Sequence, residues 1–290
     1  MDEYHKSVLL RETIDLLNIK PGGRYIDATL GGGGHTRAIL NKGGIVLGID
    51  ADKDALDYVE RKFRARKDLV LVKGNFKDID KIAKEYGFLK VEGSIFDLGV
   101  SSHQLEKAER GFSFQKDGPL DMRMDQSLSV KALDLINILT KGELYKLFTE
   151  FGEERFAWTI SESIVSARKV EPIITTLELV EIIKRAVPRQ NKDINPATKV
   201  FQALRIVIND EQNVLREALP KAFELLESSG RLAVISFHSL EDRIVKNKFR
   251  ELEAAGLGKI ITKKPVTSSL NEIMINKRSR SSKLRVIEKI

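Results

Sequence analysis

The stretch Tyr25-Ile26-Asp27-Ala28-Thr29-Leu30 runs into Gly31-Gly32-Gly33-Gly34-His35 and is followed by Ile45-Val46-Leu47-Gly48-Ile49-Asp50. A short apolar strand that turns through glycines into a helix lets backbone N–H groups approach a ligand closely. A second strand ending in an acid brings a carboxylate within reach of both hydroxyls of a ribose. Asp50 falls about twenty residues beyond the glycines, where such a site wants an acid. The pair reads as a nucleoside-cofactor site, and the chain as an enzyme.

A dinucleotide fingerprint wants Gly-x-Gly-x-x-Gly. Gly31 and Gly33 fit, but the third position is Thr36. No Gly-Lys-Ser/Thr follows, which excludes a P-loop. An acid before the glycines and little provision for a pyrophosphate suit S-adenosylmethionine better. In that reading Asp27 lies near the methionine amino group and Asp50 holds the ribose. Thr29 stands where many such enzymes place their first glycine, so the generic motif is imperfect.

The chain has 290 residues, with 49 Lys and Arg against 42 Asp and Glu. The excess leans toward a polyanionic partner, the alternative being an ordinary solvated surface. No apolar run approaches the roughly twenty residues that span a bilayer, and Met1-Asp2-Glu3-Tyr4-His5-Lys6 is too polar for a secretory signal. The expectation is a cytoplasmic protein with no membrane partner. Cysteine is absent, which rules out disulfides, thiolate zinc sites and iron–sulfur clusters. It also rules out thiolate attack on a pyrimidine ring to activate C5, so a methylated base would be modified at nitrogen. His5, His35, His103 and His238 lie scattered with no ligand spacing, and no metal site is read.

Short runs rich in Ile, Val and Leu predict strands over Arg24–Ala28, Ile45–Asp50, Leu69–Lys73, Gly93–Leu98 and Arg231–Phe237. Lys53–Arg66 has apolar residues at helical spacing. The order βαβαβ implies a parallel, doubly wound sheet with its ligand at the carboxyl ends of the strands. Ile260-Ile261-Thr262 and Leu284-Arg285-Val286-Ile287 read as a final pair of strands, one of them antiparallel. Between Asp97 and Arg231 lies far more chain than one crossover needs. Helical patterns occur there over Val130–Leu139, Lys141–Phe151, Glu154–Ala167 and Leu177–Ala186. The expected organisation is a sheet domain of 1–108 and 209–290, with an inserted all-helical domain, 109–208, over the cofactor cleft. Its basic, turn-rich portion from Arg185 to Arg205 suits phosphate contacts, or is solvated loop.

The fourth strand ends Phe96-Asp97-Leu98-Gly99-Val100-Ser101-Ser102-His103-Gln104. In a class I methyltransferase the loop after this strand lies between the methyl group and its acceptor. An aromatic amine is a poor nucleophile, so the enzyme must accept an N–H hydrogen bond and align nitrogen, methyl and sulfonium. Asp97 either supplies that acceptor or serves only the cofactor. No Gly-x-Ser-x-Gly elbow occurs, which argues against a serine hydrolase.

Several strings together resemble one family. Asp97-Leu98-Gly99-Val100-Ser101-Ser102, Arg110-Gly111-Phe112-Ser113-Phe114, Gly118-Pro119-Leu120-Asp121-Met122-Arg123-Met124-Asp125 and Ile235-Ser236-Phe237-His238-Ser239-Leu240-Glu241-Asp242-Arg243 are similar to those of the bacterial ribosomal RNA small subunit methyltransferase H family. So are Phe151-Gly152-Glu153-Glu154-Arg155-Phe156-Ala157 and Phe201-Gln202-Ala203-Leu204-Arg205, and the likeness runs nearly end to end. It implies a Rossmann-like class I fold with a helical insert, and S-adenosyl-L-methionine as cofactor. It further implies methylation of N4 of a cytidine in the decoding centre of 16S rRNA, on the small ribosomal subunit. By matching motif, cofactor contacts fall on Gly33, Gly34, His35, Asp50, Phe76, Asp97 and Gln104, with Phe76 against adenine. Gly32 is a position where the family pattern tolerates other residues.

Neither reading fixes the base-binding residues. Phe112 and Phe114 either stack an extruded cytosine or pack in a core. Asp121, Arg123 and Asp125 form an ion-pair cluster or touch substrate. His238 reaches the nucleotide or makes a structural hydrogen bond. Candidate phosphate contacts are Lys192, Lys199, Arg205, Arg243, Lys246, Arg278 and Arg280.

Overall fold

Five apolar runs become parallel neighbours in one sheet, and both faces of that sheet are covered. The computed structural model describes residues 7–64, 66–188 and 195–290. In chain order the elements begin α1 (Leu10–Leu17), β1 (Arg24–Asp27), α2 (Gly34–Asn41), β2 (Ile45–Asp50), α3 (Lys53–Lys62), β3 (Leu69–Lys73), α4 (Ile79–Glu85) and β4 (Val91–Asp97). Six helices follow: α5 (Ser102–Glu106), α6 (Ala132–Ile138), α7 (Lys141–Glu150), α8 (Ala157–Arg168), α9 (Thr176–Ala186) and α10 (Ala197–Ile208). The chain closes with α11 (Glu211–Glu224), β5 (Leu226–Ser236), α12 (Ser239–Ala254), β6 (Gly258–Ile260), α13 (Leu270–Ile275) and β7 (Lys283–Lys289). Two compact units result, one of residues 1–101 with 212–290 and one of residues 102–211.

The sheet order is β3-β2-β1-β4-β5-β7-β6. The first five strands pair in parallel, while β7 runs antiparallel to both β5 and β6. Side chains alternate between two cores, as a strand's period of two requires. Tyr25, Val46, Ile95, Ala233 and Val286 enter one core with Ile14, Leu17, Ile39 and Leu40. Ile26, Leu47, Phe96, Val234 and Ile287 enter the other with Ile79, Leu219 and Phe249. Burial on both faces explains why these strands read as continuous apolar runs rather than alternating ones. Each fully buried Leu or Ile contributes about 1.5–3 kcal/mol relative to exposure.

Element ends differ from the sequence expectation for identifiable reasons. β4 begins at Val91, before Gly93, because the register shifts between those residues. β5 begins at Leu226, since Leu226 pairs with Val91 across a segment, Glu227-Ser228-Ser229-Gly230, that reads as a turn. α3 stops at Lys62, where the N–H of Phe63 returns to Val59 O; Ala65, inside the expected helix, lies outside the described residues. α1 was not foreseen. Leu9 enters it in the left-handed region (φ 50°), a cost that its complete burial offsets.

In the helical unit, Thr140 with Glu143 and Thr175 with Glu178 form capping boxes that start α7 and α9. The Arg168 guanidinium donates to the carbonyls of Ile136 and Leu139, closing the end of α6. No helix among the described residues is long and apolar enough to cross a membrane.

Candidate functional site

Strand order reverses between β1 and β4, and in a doubly wound sheet ligands bind at the carboxyl ends beside such a reversal. In this unit Asp27, Asp50 and Asp97 end three strands there, with the glycine turn among them. The turn is held by Leu30 N–H to Ile49 O (3.0 Å) and Gly33 N–H to Leu30 O (2.8 Å). Gly31 (φ 49°) and Gly33 (φ 69°) sit in the left-handed region. A Cβ at Gly33 would stand 3.1 Å from both Phe63 and Val59, and one at Gly34 would collide with Ser7 Oγ. Glycine is therefore favoured at Gly33 by its left-handed backbone and at Gly34 by the closeness of Ser7.

The three carboxylates are set differently. Asp27 is 1% exposed; its Oδ2 accepts from Thr36 Oγ1 (2.6 Å) and its Oδ1 from Thr29 N–H (3.3 Å). Burial raises its carboxyl above the ordinary value and Asp97 adds to the rise, against His35, Thr36 and Thr29, which favour the ion. The expected neighbour of a methionine amino group thus also locks the turn. Asp50 is partly buried; it accepts from Gly31 N–H and Asp52 N–H, each at 2.8 Å. Burial pushes it up to about 6 in spite of those two bonds. Among the described residues it makes no ion pair.

Asp97 takes its place through Thr29, whose Oγ1 accepts the Asp97 N–H at 2.6 Å. The residue that made the glycine motif imperfect thus ties the end of β1 to the end of β4 with its hydroxyl. Thr29 and Thr36, two hydroxyls flanking the glycines, were the site residues that sequence reasoning missed. His35, on the first turn of α2, is 3% exposed with Nδ1 3.6 Å from Asp97 Oδ2. Its Nε2 is buried and, among the described residues, has no hydrogen-bond partner. Phe76 follows β3 and lies edge-on to Phe96, ring centroids 5.4 Å apart at 84°. Gly33, Gly34, His35, Asp50, Phe76 and Asp97 all belong to the sheet unit. Gln104 belongs to the helical unit, 6% exposed on α5.

Several open alternatives close toward structure. Phe112 is 6% exposed, and Phe114 packs edge-on against Phe201 at 5.7 Å. Arg123 clasps Asp121 through Nε (2.7 Å) and a terminal nitrogen (2.8 Å), and donates onward to the carbonyls of Gln126 and Leu128. Asn209 ties the same loop to α10 through Met122 O (2.9 Å) and Met124 N–H (2.7 Å). His238 caps α12: Nδ1 accepts the Glu241 N–H, and Nε2 lies 3.1 Å from Glu241 Oε1.

The phosphate candidates divide. Lys192 lies outside the described residues, as does part of the basic portion around it. Arg205 is engaged by Glu211 through two bonds of 2.8 Å in a partly buried pair. Lys199 is exposed and donates to Glu153 O (2.6 Å). Arg243, Arg278 and Arg280 are exposed and Lys246 is partly so.

Comparison with known proteins agrees with this arrangement. Residues 2–290 match the MraW methylase family. The chain is 46% identical to "Ribosomal RNA small subunit methyltransferase H" of Clostridium botulinum (strain Loch Maree / Type A3), with all of both chains covered. It is 46% identical to the protein of that name from Carboxydothermus hydrogenoformans, over 100% of this chain and 99% of that one. The Heliobacterium mobile protein of that name is 45% identical, with full coverage of both.

Proposed function

This chain belongs to the MraW methylase family and is a methyltransferase that uses S-adenosylmethionine, and we propose that it methylates N4 of a cytidine in the decoding centre of 16S rRNA, on the small ribosomal subunit, in the cytoplasm. The names of its relatives support ribosomal RNA of the small subunit as substrate. The absence of cysteine supports nitrogen as the acceptor atom. The proposed organisation is a methyltransferase domain of 1–108 and 209–290 with a helical insert of 109–208.

The site suits the cofactor on its own evidence. It offers a glycine turn with no side chains of its own and, among the described residues, a buried His35 nitrogen without a hydrogen-bond partner and a carboxylate at the end of β2 without a cationic partner. Asp50 would accept the ribose hydroxyls, Gly33 and Gly34 would present backbone, and Phe76 would border the adenine. When bound, S-adenosylmethionine supplies an electrophilic methyl group on a sulfonium. Asp97 is the acceptor we assign to the cytosine amino N–H. Accepting that bond keeps nitrogen electron density directed at the methyl group and receives the proton that must leave. His35 positions it, its ring 3.6 Å from the carboxylate and both side chains largely buried. Gln104 completes the proposed contacts.

The observation that carries this reading is the row of strand-end carboxylates, Asp50 and Asp97, flanking the glycine turn. Labelled cofactor incubated with small subunits, free 16S rRNA and ribosomal proteins, followed by nucleoside analysis, tests it. N4-methylcytidine from small subunits is the expected product. Label in protein, or at another base position, would sink the reading.

A further inference from the structure

The chain between β6 and β7 forms an arm that is tied at its base and carries an exposed helix. Val266 and Leu284 make an isolated antiparallel bridge, with N–H to O distances of 2.9 and 2.8 Å. Ser268 Oγ and Ser282 Oγ meet at 2.9 Å. Between these ties lie α13 and a 3-10 turn, Lys277–Ser281. No residue of α13 is buried; Leu270 is 80% exposed, Met274 72% and Ile275 68%. Leu270 and Met274, four residues apart, share one helix face.

Positive charge predominates on the arm. Lys263, Lys264, Lys277, Arg278 and Arg280 are all exposed. The only acid from 263 to 281 is Glu272, whose carboxylate accepts the Leu9 N–H at 2.8 Å. An exposed apolar face on a cation-rich arm does not suit a basic or neutral partner, whereas a polyanion with flat apolar groups complements both parts.

Strand register fixes where the arm stands. Asp97 pairs with Ile235, Ile235 with Leu284, and Leu284 with Val266. These four residues form one row across the sheet, so the base of the arm lies two strand spacings (Leu284) to three (Val266), ~10–14 Å, from the Asp97 backbone. The tip is tied through Leu9 to the segment whose Ser7 fills the space beside Gly34.

We propose that this arm, residues 266–284, docks the substrate RNA strand beside the reacting nucleotide. Lys277, Arg278 and Arg280, with Lys263 and Lys264 at the base, take backbone phosphates, while the Leu270–Met274–Ile275 face packs against bases left unstacked when the target is turned out. The inference rests on RNA being the substrate, as set out under the proposed function.

Two full-length variants test it against purified small subunits. Lys277→Glu with Arg280→Glu is expected to weaken subunit binding about tenfold or more at physiological salt and to flatten its salt dependence. Leu270→Ala with Met274→Ala is expected to leave binding within about threefold but lower single-turnover methylation about tenfold, since these side chains act only once stacking is broken. Both should keep the parent's thermal midpoint and S-adenosylmethionine affinity, because the altered side chains are exposed. Parental binding by the charge variant overturns the phosphate role, and parental turnover by the apolar variant overturns the base-packing role. If the apolar variant instead converts a dimeric parent to a monomer, the face belongs to a second copy and the proposal fails. If the parent itself neither binds nor methylates subunits, the RNA reading fails before the arm is at issue.

Discussion

Asp50, at the end of β2, and Asp121, in the loop before α6, are both partly buried carboxylates, yet the two regions treat them in opposite ways. Asp50 has two backbone N–H donors and no ion pair among the described residues, and burial pushes it up to about 6. Burial alone would also raise Asp121, but hydrogen bonds from the Arg123 side chain and backbone, with the charge of Lys131, hold it below the ordinary carboxylate range. Asp242 resembles Asp121, clasped by Arg285 at 2.6 Å and by Lys283. A carboxylate that a guanidinium already matches stabilises its own loop. One left under desolvation gains from the arrival of hydroxyl or amine donors. The comparison separates the strand-end acids from the Asp-Met-Arg-Met-Asp string, which the sequence alone left open as cluster or substrate contact.

The largest expected effect probes the reacting end of that contrast. Asp97→Asn should lower turnover about a hundredfold or more while changing S-adenosylmethionine affinity much less, since the proton acceptor matters chiefly in the transition state. Single-turnover rates and calorimetry on the same preparation check it; equal losses in both would make Asp97 a cofactor ligand alone.

Asp50→Ala should weaken cofactor binding by about 1.5–3 kcal/mol, the range for a hydrogen bond to a charged group, with the fold intact. The parent's pH dependence sharpens this. The unfolded carboxyl titrates at about 3.9 and the folded one at about 6. Its contribution to the stability of the unliganded protein is therefore full below about pH 4 and lost as pH rises through about 6. Ribose hydroxyls donate to the ion, so binding has the opposite sign and weakens as pH falls through about 6. The thermal shift induced by S-adenosylmethionine should thus shrink between pH 7 and pH 5, and a shift independent of pH would remove Asp50 from the site.

On the helical side, Asp121→Ala should lower stability by about 1–3 kcal/mol, because Arg123 loses its partner in a partly buried loop. Cofactor affinity should not move. Denaturant unfolding followed by a binding isotherm tests the pair of outcomes, and a selective loss of RNA binding without loss of stability would return Asp121 to the substrate-contact reading. The smallest effects belong to exposed cations. Single alanines at Lys199, Arg243 or Lys246 should change subunit binding by less than about 1 kcal/mol each. The triple variant should lower the salt slope measurably, and an unchanged slope places RNA elsewhere.

Much of the sheet unit was legible because its signals are local. Burial on both faces makes parallel strands continuous apolar runs, and Ile45–Asp50 and Leu69–Lys73 occur with the predicted ends. The glycine turn and the acid about twenty residues on form a sequence pattern that is read without knowing their neighbours in space, and Gly31 and Gly33 take the left-handed conformation that such a turn requires. The family strings extended this to function, since a long motif in fixed order carries chemistry that periodicity does not.

What the tertiary structure alone decided are the pairings across long sequence separations. That Thr29 accepts from Asp97, that Glu211 engages Arg205, and that Asn209 anchors the Met122–Met124 loop depend on which elements meet. The start of β5 at Leu226 depends on a distant partner, Val91, whose pairing resumes the strand on the near side of an irregularity. The arm beside Asp97 exists only through register, because the row Asp97–Ile235–Leu284–Val266 joins four distant segments by backbone hydrogen bonds that no composition or spacing specifies. Sequence determined which groups this protein has at the ends of its strands, since propensity and burial act residue by residue. Whether each group faces a ligand or a neighbouring guanidinium is set by packing, since desolvation and charge matching depend on what lies within a few ångströms in space.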